Sequence, residues 1–186
     1  GVRDSLDKPT DYWKTNVIGT QRLFEHFRDT RIIYASSSTA HEPWKNPYAM
    51  SKYSMEQLNH NNAVGLRFTT IYGPGARKNM LIPKILRNDV QYLNVNHIRD
   101  FIHVNDIVSA VDILMNVTFR GVIDIGTGVS NKLVDIADYF KLDYKSVMGG
   151  ETERLDNTAD TSILNKFGWR AKINLYNYIE ENRNVN

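Results

Sequence analysis

The chain has no cysteine, which excludes disulfide bonds, thiolate metal sites and a cysteine nucleophile and fits a reducing cytoplasm. Its apolar runs fall well short of the roughly 18 residues that a membrane span needs, and no signal peptide is visible. Basic and acidic residues nearly balance, 23 against 21, so nothing indicates nucleic-acid binding. We therefore expect a soluble, cytoplasmic protein with no metal site and no nucleic-acid or membrane partner.

Glycine occurs at eleven positions but never in the spacing of a dinucleotide-binding loop. Neither G-x-G-x-x-G nor G-x-x-G-x-x-G is present. The turn Gly126-Thr127-Gly128 lacks a third glycine and a following acidic residue that could bind a ribose. We therefore interpret it as a structural turn rather than a phosphate-binding loop.

The most informative stretch of the sequence reads RIIYASSSTAHEPWKNPYAMSK. Its first residues, Arg31–Ser36, predict a short apolar strand, and Ser37 would lie where that strand opens into a ligand crevice. A helix predicted over Tyr48–Asn59 would place Tyr48 and Lys52 on successive turns of one face. A phenol and an ammonium group would then point the same way.

These side chains suit proton transfer. A tyrosine ionises near pH 10, about three units too high for a base at neutral pH, so a neighbouring cation must stabilise the phenolate. Lys52 could supply that charge, and Ser37 could hydrogen-bond the oxygen that Tyr48 deprotonates. With ten tyrosines in the chain, a lone Tyr-x-x-x-Lys pair also arises by chance, and a surface pair is the alternative. The preceding strand, the serine run and the Asn-Pro before the helix favour the catalytic interpretation.

The rest of the chain alternates predicted strands and helices, which is typical of a doubly wound α/β fold in one domain. The helix predicted over 11–28 is amphipathic, and we expect its apolar residues to pack in the core, namely Trp13, Val17, Leu23, Phe24 and Phe27. Further strands are predicted at 63–70, 90–94, 99–104 and 122–125, and further helices at 80–87, 105–116, 132–140, 161–167 and 175–182.

The segments YASSS and PYAMSK resemble the active-site segment of the extended short-chain dehydrogenase/reductase family, which includes the nucleotide-sugar epimerases and dehydratases. Six further segments match the family pattern in the same order, namely GVRDSLDKP, TNVIGT, LRFTTIYGPGAR, RDFIHVNDIV, IDIGTG and ADTSILNKFGW. The resemblance implies a Rossmann-like parallel sheet with a small substrate-binding lobe, and NAD as cofactor. Relatives carry the Gly-rich pyrophosphate loop before this pattern, so we expect either the C-terminal portion of such an enzyme or an enzyme whose cofactor loop lies outside this sequence.

The resemblance also implies which residue ranges form the NAD-binding domain and which form the substrate-binding lobe. Residues 1–72 and 99–127 would form the C-terminal part of the NAD-binding domain, and residues 73–98 and 128–186 the lobe that binds the nucleotide sugar. The expected NAD contacts are Thr15, Ser36, Tyr48, Lys52 and Thr69. For Thr15 a plain helix-surface position is equally compatible with the sequence. Relatives imply a homodimer formed by helices 11–28 and 48–59 of each subunit.

The choice of substrate depends on a few positions. Dehydratases of the family carry an Asp-Glu pair just after the active-site Ser/Thr, where this chain has Ser38 and Thr39, so dehydration is disfavoured. Thr70, followed seven residues later by Arg77, resembles UDP-glucuronate 4-epimerases, in which the pair holds the sugar carboxylate. A guanidinium suits that role because it binds a carboxylate bidentately. The alternative for Arg77 is a solvated loop position.

The same resemblance implies contacts to the rest of the nucleotide sugar. Arg99 resembles the family arginine that binds the substrate diphosphate, and Arg154 would be a second phosphate contact. A structural Arg99–Asp100 pair is the alternative. Ser37 and Ser38 would complete the sugar-binding residues.

The chain departs from the family pattern between Ser37 and Tyr48. These residues are only eleven positions apart, whereas relatives usually have a much longer loop there. We therefore expect a more open sugar pocket, and we interpret His41 and Glu42 in the short loop as solvated, with a substrate contact as the alternative.

Together these expectations predict an NAD-dependent epimerase that inverts a sugar 4-hydroxyl through a transient 4-keto intermediate, with a UDP-sugar, UDP-glucuronate for preference, as substrate. Ser37, Tyr48 and Lys52 would be its catalytic residues. Two alternatives stay open: another dehydratase or reductase of the same family, and a non-catalytic nucleotide-sugar-binding protein that lacks the cofactor loop.

Overall fold

The computed structural model describes residues 1–58 and 60–183. Asn59, which ends the helix predicted over 48–59, and residues 184–186 of the predicted substrate lobe lie outside the described residues. The chain forms two compact units. The first contains Gly1–Phe68, Leu114–Asp124 and Gly150–Arg154, and the second contains Thr69–Ile113, Ile125–Gly149 and the chain from Leu155 onward. The assignment of cofactor and substrate roles to particular ranges stays a prediction.

Strands and helices alternate along the described chain, as the sequence predicts. The strands are β1 Ile32–Ser37, β2 Ala63–Phe68, β3 Thr70–Tyr72, β4 Tyr92–Asn94, β5 Ile98–Arg99, β6 Phe101–His103, β7 Gly121–Ile125, β8 Asn131–Lys132 and β9 Lys145–Val147. The α-helices are α1 Val2–Asp7, α2 Pro9–Tyr12, α3 Gly19–His26, α4 Pro47–Glu56, α5 Leu81–Leu86, α6 Val104–Met115, α7 Leu133–Tyr139, α8 Ser162–Lys166 and α9 Leu175–Arg183.

The sheet of the first unit has the strand order β1-β2-β7. Strands β1 and β2 are parallel, in a register that pairs Ile32 with Ala63 and Ser37 with Phe68. Because both strands run the same way, their carboxyl ends meet at one edge, which is where α/β sheets bind ligands. Ser37 lies at that edge, as predicted.

The helix predicted over 11–28 is present, but it is not uniform. Between α2 and α3 the residues Trp13–Ile18 form a π-helical turn, a feature that often marks a functional site. Val17 and Phe24 are buried, whereas Trp13, Leu23 and Phe27 are 44%, 54% and 42% exposed. The prediction that all five pack in the core is therefore wrong for three of them, because the apolar stripe is wider than the surface that covers it.

Helix α4 begins at a well-formed cap. Asn46 Oδ1 accepts a hydrogen bond from the amide of Ala49 at 2.8 Å, and Pro47 occupies the first helical position. Both are favourable at a helix N-terminus, where the first amides have no partner within the helix. The buried face of α4 carries small residues, Ala49 and Ser51, together with Met55, so the helix can approach β1 closely.

The opposite, amino-terminal edge of this sheet is held by Arg31. Its guanidinium donates to the carbonyl oxygens of Leu114, Val117 and Phe119 at 2.5–3.2 Å and to Asn62 Oδ1 at 3.3 Å. A polar cavity of about 460 Å³ lies beside it. Arg31 thus has a structural role, since its donors are used by the loop after α6.

The second unit contains the pairs β3–β6 and β4–β9, both parallel, and the antiparallel pair β5–β8. The predicted strand 63–70 is interrupted at Thr69, so that Thr70 begins β3. Its core packs helices against these strands through buried residues that include Tyr72, Ile85, Leu93, Phe101, Ile136 and Ile179.

The Gly126-Thr127-Gly128 turn is occupied by a protein carboxylate. The side chain of Asp100 accepts hydrogen bonds from the amides of Thr127 and Gly128 at 2.9 and 2.8 Å and from Thr127 Oγ1 at 2.6 Å. The amide of Ala159 donates to the same carboxylate at 3.2 Å. These donors are the ones that a phosphate would need, so the interpretation of the turn as structural is confirmed.

Candidate active site

Tyr48 and Lys52 lie side by side on α4, as the helical spacing predicts. Lys52 Nζ is 5.8 Å from the centre of the Tyr48 ring and donates a hydrogen bond to the carbonyl oxygen of Ala35 at 2.8 Å. The Tyr48 ring also packs edge-on against Tyr12, with ring centres 5.7 Å apart. The ammonium group is therefore anchored near the carboxyl end of β1 while it stays beside the phenol.

Ser37 is buried at the end of β1, where its side chain caps the following turn. Its Oγ accepts hydrogen bonds from the amide of Thr39 at 3.3 Å and from Thr39 Oγ1 at 3.0 Å. Both bonds use acceptor lone pairs of Ser37, so its own O–H can donate to a substrate oxygen. Thr39, at one of the positions where dehydratases carry an acid, is thus a hydrogen-bond donor to Ser37.

Ser36, expected to contact NAD, hydrogen-bonds to Glu56. The carboxylate of Glu56, whose side chain is fully buried, also accepts two bonds from Arg67, at 2.9 Å from Nε and 2.5 Å from Nη2. Sequence reasoning missed both Glu56 and Arg67. Two signals could have found them: Glu56 follows Lys52 by one helical turn, and Arg67 is a charged residue inside the apolar strand AVGLRF.

His41 is exposed, and it also contacts a carboxylate and a guanidinium. Its Nε2 lies 2.8 and 3.0 Å from the two carboxylate oxygens of Asp124, near the end of β7, and Arg67 Nη1 lies 3.3 Å from His41 Nδ1. His41 is exposed, as the sequence predicts, and the short loop also brings it against the carboxyl ends of β2 and β7. Glu42 is partly buried, with Oε2 4.0 Å from Lys45 Nζ and from Arg154 Nε.

The short loop is fastened by residues 150–154 of the same unit. Lys45 Nζ donates to the carbonyls of Glu151 and Glu153 at 3.3 Å, and Asn46 Nδ2 donates to the carbonyl of Thr152 at 2.9 Å. Arg154 Nη1 donates to the carbonyl of Ser38 at 2.7 Å. Arg154 therefore contacts the active-site strand end, whereas its expected phosphate contact stays a prediction.

Burial sets the electrostatics of this site. Burial lowers the pKa of Lys52 from its ordinary value, and the charge of Glu56 opposes that change by raising it. Burial also raises the pKa of Tyr34 to about 12, with a further increase from Glu56 and a decrease from Arg67. A half-buried cation and a buried anion thus lie one helical turn apart on α4.

The remaining expected NAD contacts, Thr15 and Thr69, belong to different units. Thr15, in the first unit, is exposed on the π-helical turn, and its neighbour Asn16 donates from Nδ2 to Ser51 Oγ at 2.9 Å. In the second unit Thr69 is buried, with its Oγ1 donating to the carbonyl of Ile125 at 3.3 Å. Their roles as cofactor ligands stay predictions.

The expected substrate contacts Thr70, Arg77 and Arg99 all belong to the second unit. Thr70 Oγ1 accepts from Asn157 Nδ2 at 3.0 Å, and the exposed Arg77 extends Nη2 to 3.7 Å from Met80 Sδ. Arg99 donates from Nη1 to the carbonyls of Ile98 and Leu155 at 2.8 Å, and its Nη2 lies 2.8 Å from His97 Nδ1. Their roles as substrate contacts stay predictions.

A family model described as the NAD dependent epimerase/dehydratase family matches residues 1–126. The chain belongs to this family. Among curated relatives, Protein CapI of Staphylococcus aureus is 32% identical over 145 residues, which cover 62% of this chain and 43% of CapI. UDP-glucose 4-epimerase of Yersinia enterocolitica is 26% identical over 239 residues, which cover 97% of this chain and 70% of that enzyme. The chain therefore spans less than half the length of CapI.

A solved structure, MoeE5 in complex with UDP-glucuronic acid and NAD, has the same fold. It superposes with a TM-score of 0.82 at 26% identity, over 98% of this chain and 74% of MoeE5. The Rossmann-like α/β class predicted from the sequence is therefore confirmed, and this epimerase/dehydratase chain has the fold of an NAD-bound relative.

The donors present in this chain fit one end of NAD. The bond from Lys52 to Ala35 uses one of the three N–H groups of the ammonium, and the other two suit the hydroxyls of the nicotinamide ribose. Tyr48 stands beside that ammonium. The glycine spacing that holds the pyrophosphate is not part of this sequence, so the fit concerns the nicotinamide ribose alone.

The described residues contain neither a membrane-spanning helix nor a metal-binding cluster. Within residues 1–58 and 60–183, no helix has both the length and the apolar character to cross a membrane. The same described residues contain no cluster of three or more His, Cys, Asp or Glu side chains that could hold a metal ion.

Proposed function

We propose that this chain carries the catalytic part of an NAD-dependent nucleotide-sugar 4-epimerase. The observation that carries the proposal is the pairing of Tyr48 with Lys52 on α4, with the ammonium anchored to Ala35 two residues before Ser37. A phenol beside a cation is a suitable base, and a serine at the adjoining strand end is a suitable hydrogen-bond donor.

Each catalytic residue has a defined role in the proposed reaction. Tyr48, as phenolate, removes the proton of the sugar 4-hydroxyl, and Ser37 donates a hydrogen bond that holds the same oxygen. Lys52 stabilises the phenolate by its positive charge and binds the nicotinamide ribose. NAD, when bound, supplies the acceptor for the hydride of the sugar carbon and returns it to the other face. The proton then passes back from Tyr48, so the product has the composition of the substrate.

UDP-glucuronate is the substrate that we propose. MoeE5 was solved with UDP-glucuronic acid and also with UDP-glucose, so the support for UDP-glucuronate is the exposed guanidinium of Arg77 in the same unit as Thr70. Ser38 and Thr39, at the positions where dehydratases have acidic residues, argue against loss of water. Arg99 and Arg154 are the proposed contacts to the diphosphate.

Incubation of the protein with UDP-glucuronate and NAD tests the reaction. Chromatography coupled to mass spectrometry should detect a product of unchanged mass and altered retention. A product lighter by one water would instead identify a dehydratase, and a bound but unchanged substrate would identify a binding protein. UDP-glucose, assayed in parallel, should be converted less efficiently.

Arg77→Lys tests the choice of sugar separately from the reaction. A lysine keeps the charge but loses the planar pair of donors, so kcat/KM for UDP-glucuronate should fall about 10-fold or more. The value for UDP-glucose should stay unchanged. An equal loss for both substrates would contradict a carboxylate contact at Arg77.

We also propose that the protein is a homodimer through helices 11–28 and 48–59. Exposed apolar side chains on both helices support this, namely Trp13, Leu23, Phe27, Met50 and Tyr53. Leu23→Glu should convert the dimer to a monomer in sedimentation experiments, because it would bury a charge in the interface. A monomeric wild-type protein would contradict the proposal.

A further inference from the structure

Glu56 is the most deeply buried anion beside the catalytic pair. Its side chain has no exposed surface, yet it carries a carboxylate that contacts both Ser36 and Arg67. A buried charge is costly unless it is paired and hydrogen-bonded, and both conditions are met here. The Tyr-Lys-Ser chemistry gives Glu56 no task of its own, so its position needs another explanation.

The contacts of Glu56 complete a pair of bonds between α4 and β1. One bond joins Lys52 to the carbonyl of Ala35, and the next joins Glu56 to the hydroxyl of Ser36. Lys52 and Glu56 are one helical turn apart, and Ala35 and Ser36 are consecutive in the strand that ends at Ser37. The two bonds therefore fix both the height and the rotation of α4 against the strand end.

Arg67 extends the same network to the other two strands of the sheet. It binds Glu56 with two nitrogens and approaches His41, which in turn contacts Asp124. Side chains from the ends of β1, β2 and β7 are thereby linked through one carboxylate on α4. This linkage is the kind that keeps catalytic groups within a fraction of an ångström of their working positions.

We propose that Glu56 is a positioning residue, which holds α4 against the end of β1 so that Tyr48 and Lys52 face Ser37. The effect of Glu56 on catalysis rests on the proposed function. Its role in holding α4 against β1 does not. Around Lys52, the charged or titratable groups are Tyr48 and Glu56 on its own helix, and β1 contributes the carbonyl of Ala35. Glu56 supplies the negative charge in this set.

The sign of the electrostatic effect follows from these contacts. Burial favours the neutral amine of Lys52, and Glu56 favours the ammonium by raising the pKa of Lys52. Removal of the negative charge should therefore increase the neutral fraction of Lys52 at any pH below its pKa. A neutral amine acylates readily, whereas an ammonium does not, so the change is measurable without an activity assay.

Competitive acetylation of the full chain with acetic anhydride, read at Lys52 by peptide mass spectrometry, tests the electrostatic part. Glu56→Gln should raise the labelling of Lys52 at neutral pH about twofold or more. Glu25→Gln, which changes an exposed glutamate on α3 that contacts Gln21, should leave the labelling unchanged. Unchanged labelling in a folded Glu56→Gln protein would overturn the electrostatic effect of Glu56 on Lys52.

Two further variants keep the proposal testable if Glu56→Gln does not fold. Ser36→Ala removes the bond between β1 and α4 but keeps the charge, and Glu56→Asp keeps the charge but shortens its reach. Both should lower kcat with little change in KM, since the base would be displaced from a substrate that still binds. Wild-type kcat in both would overturn the positioning role.

The labelling and the kinetics separate this proposal from the proposed function. If the wild-type protein has no epimerase activity but Glu56→Gln still alters Lys52 labelling, the proposed function fails and the electrostatic role of Glu56 stands. If activity is present and neither labelling nor kcat responds, the role of Glu56 fails and the epimerase stands.

Discussion

Lys52 Nζ donates its hydrogen bond to Ala35, two residues before Ser37, rather than to a side chain. A backbone carbonyl in a strand cannot rotate away, so the ammonium is held at a fixed height beside the Tyr48 ring. This arrangement explains how a flexible lysine can act on one particular tyrosine. It also makes the geometry of the site depend on how α4 docks on β1.

Asn46 should contribute to that docking through both ends of its amide. Its Oδ1 caps α4 at Ala49, and its Nδ2 donates to the carbonyl of Thr152. Asn46→Ala should lower the free energy of unfolding by about 2 kcal/mol, of which about 1 is the cap and about 1 the second bond. Asn46→Ser keeps a capping hydroxyl and should lose only about 1 kcal/mol. Urea denaturation measures both, and equal losses would show that only one end of the amide matters.

Gly126 should tolerate no side chain. A Cβ at this position would lie 2.5 Å from Asp100 Oδ2 and 2.6 Å from the Cβ of Ala159, so the Asp100-bound turn would have to move. Gly126→Ala should therefore destabilise the protein by about 1–3 kcal/mol.

Gly19→Ala is the matched control for this substitution. Gly19 is helical and has only the carbonyl of Lys14, at 3.6 Å, near its would-be Cβ, so alanine there should stabilise by about 0.5–1 kcal/mol. Thermal unfolding compares the two variants. A neutral Gly126→Ala would contradict the tight packing around Asp100.

Tyr34 should make the fold sensitive to alkali. Its pKa is raised to about 12 in the folded chain, mainly by burial, whereas an unfolded tyrosine ionises near pH 10. The folded protein then binds more protons than the unfolded chain between these two values, so its stability falls as pH rises through that window. Tyr34→Phe should show a shallower fall between about pH 10 and 12. Parallel stability profiles of variant and wild type would contradict the shift.

Much of this architecture could be predicted because local rules dominate it. The strand ending at Ser37, the helix that opens after Asn46-Pro47, and the structural nature of the Gly126 turn all follow from short-range patterns. Tyr48 and Lys52 meet because helical spacing alone brings them together. In each case the sequence signal and the physical cause lie within a few residues of each other.

The parts that escaped prediction depend on long-range packing. His41 is exposed, as predicted, but its contact with Asp124 of β7 joins residues 83 positions apart, which no local pattern indicates. Arg67 and Glu56 form their pair across a strand and a helix. Trp13 is predicted to be in the core but is exposed. An amphipathic pattern shows which side chains are apolar, but not how many of them the rest of the chain covers.

The central claim is that Tyr48 acts as the base, and one substitution tests it most directly. Tyr48→Phe removes the hydroxyl but keeps the ring that packs against Tyr12, so the fold should persist. Tyr53→Phe, on the exposed side of the same helix, is the matched control.

The decisive measurement is the rate of UDP-glucuronate epimerisation by the two variants, with their unfolding curves alongside. The account predicts that Tyr48→Phe lowers kcat by about 10² to 10⁴, with wild-type stability, while Tyr53→Phe keeps full activity. A folded Tyr48→Phe protein that epimerises at the wild-type rate would contradict the account.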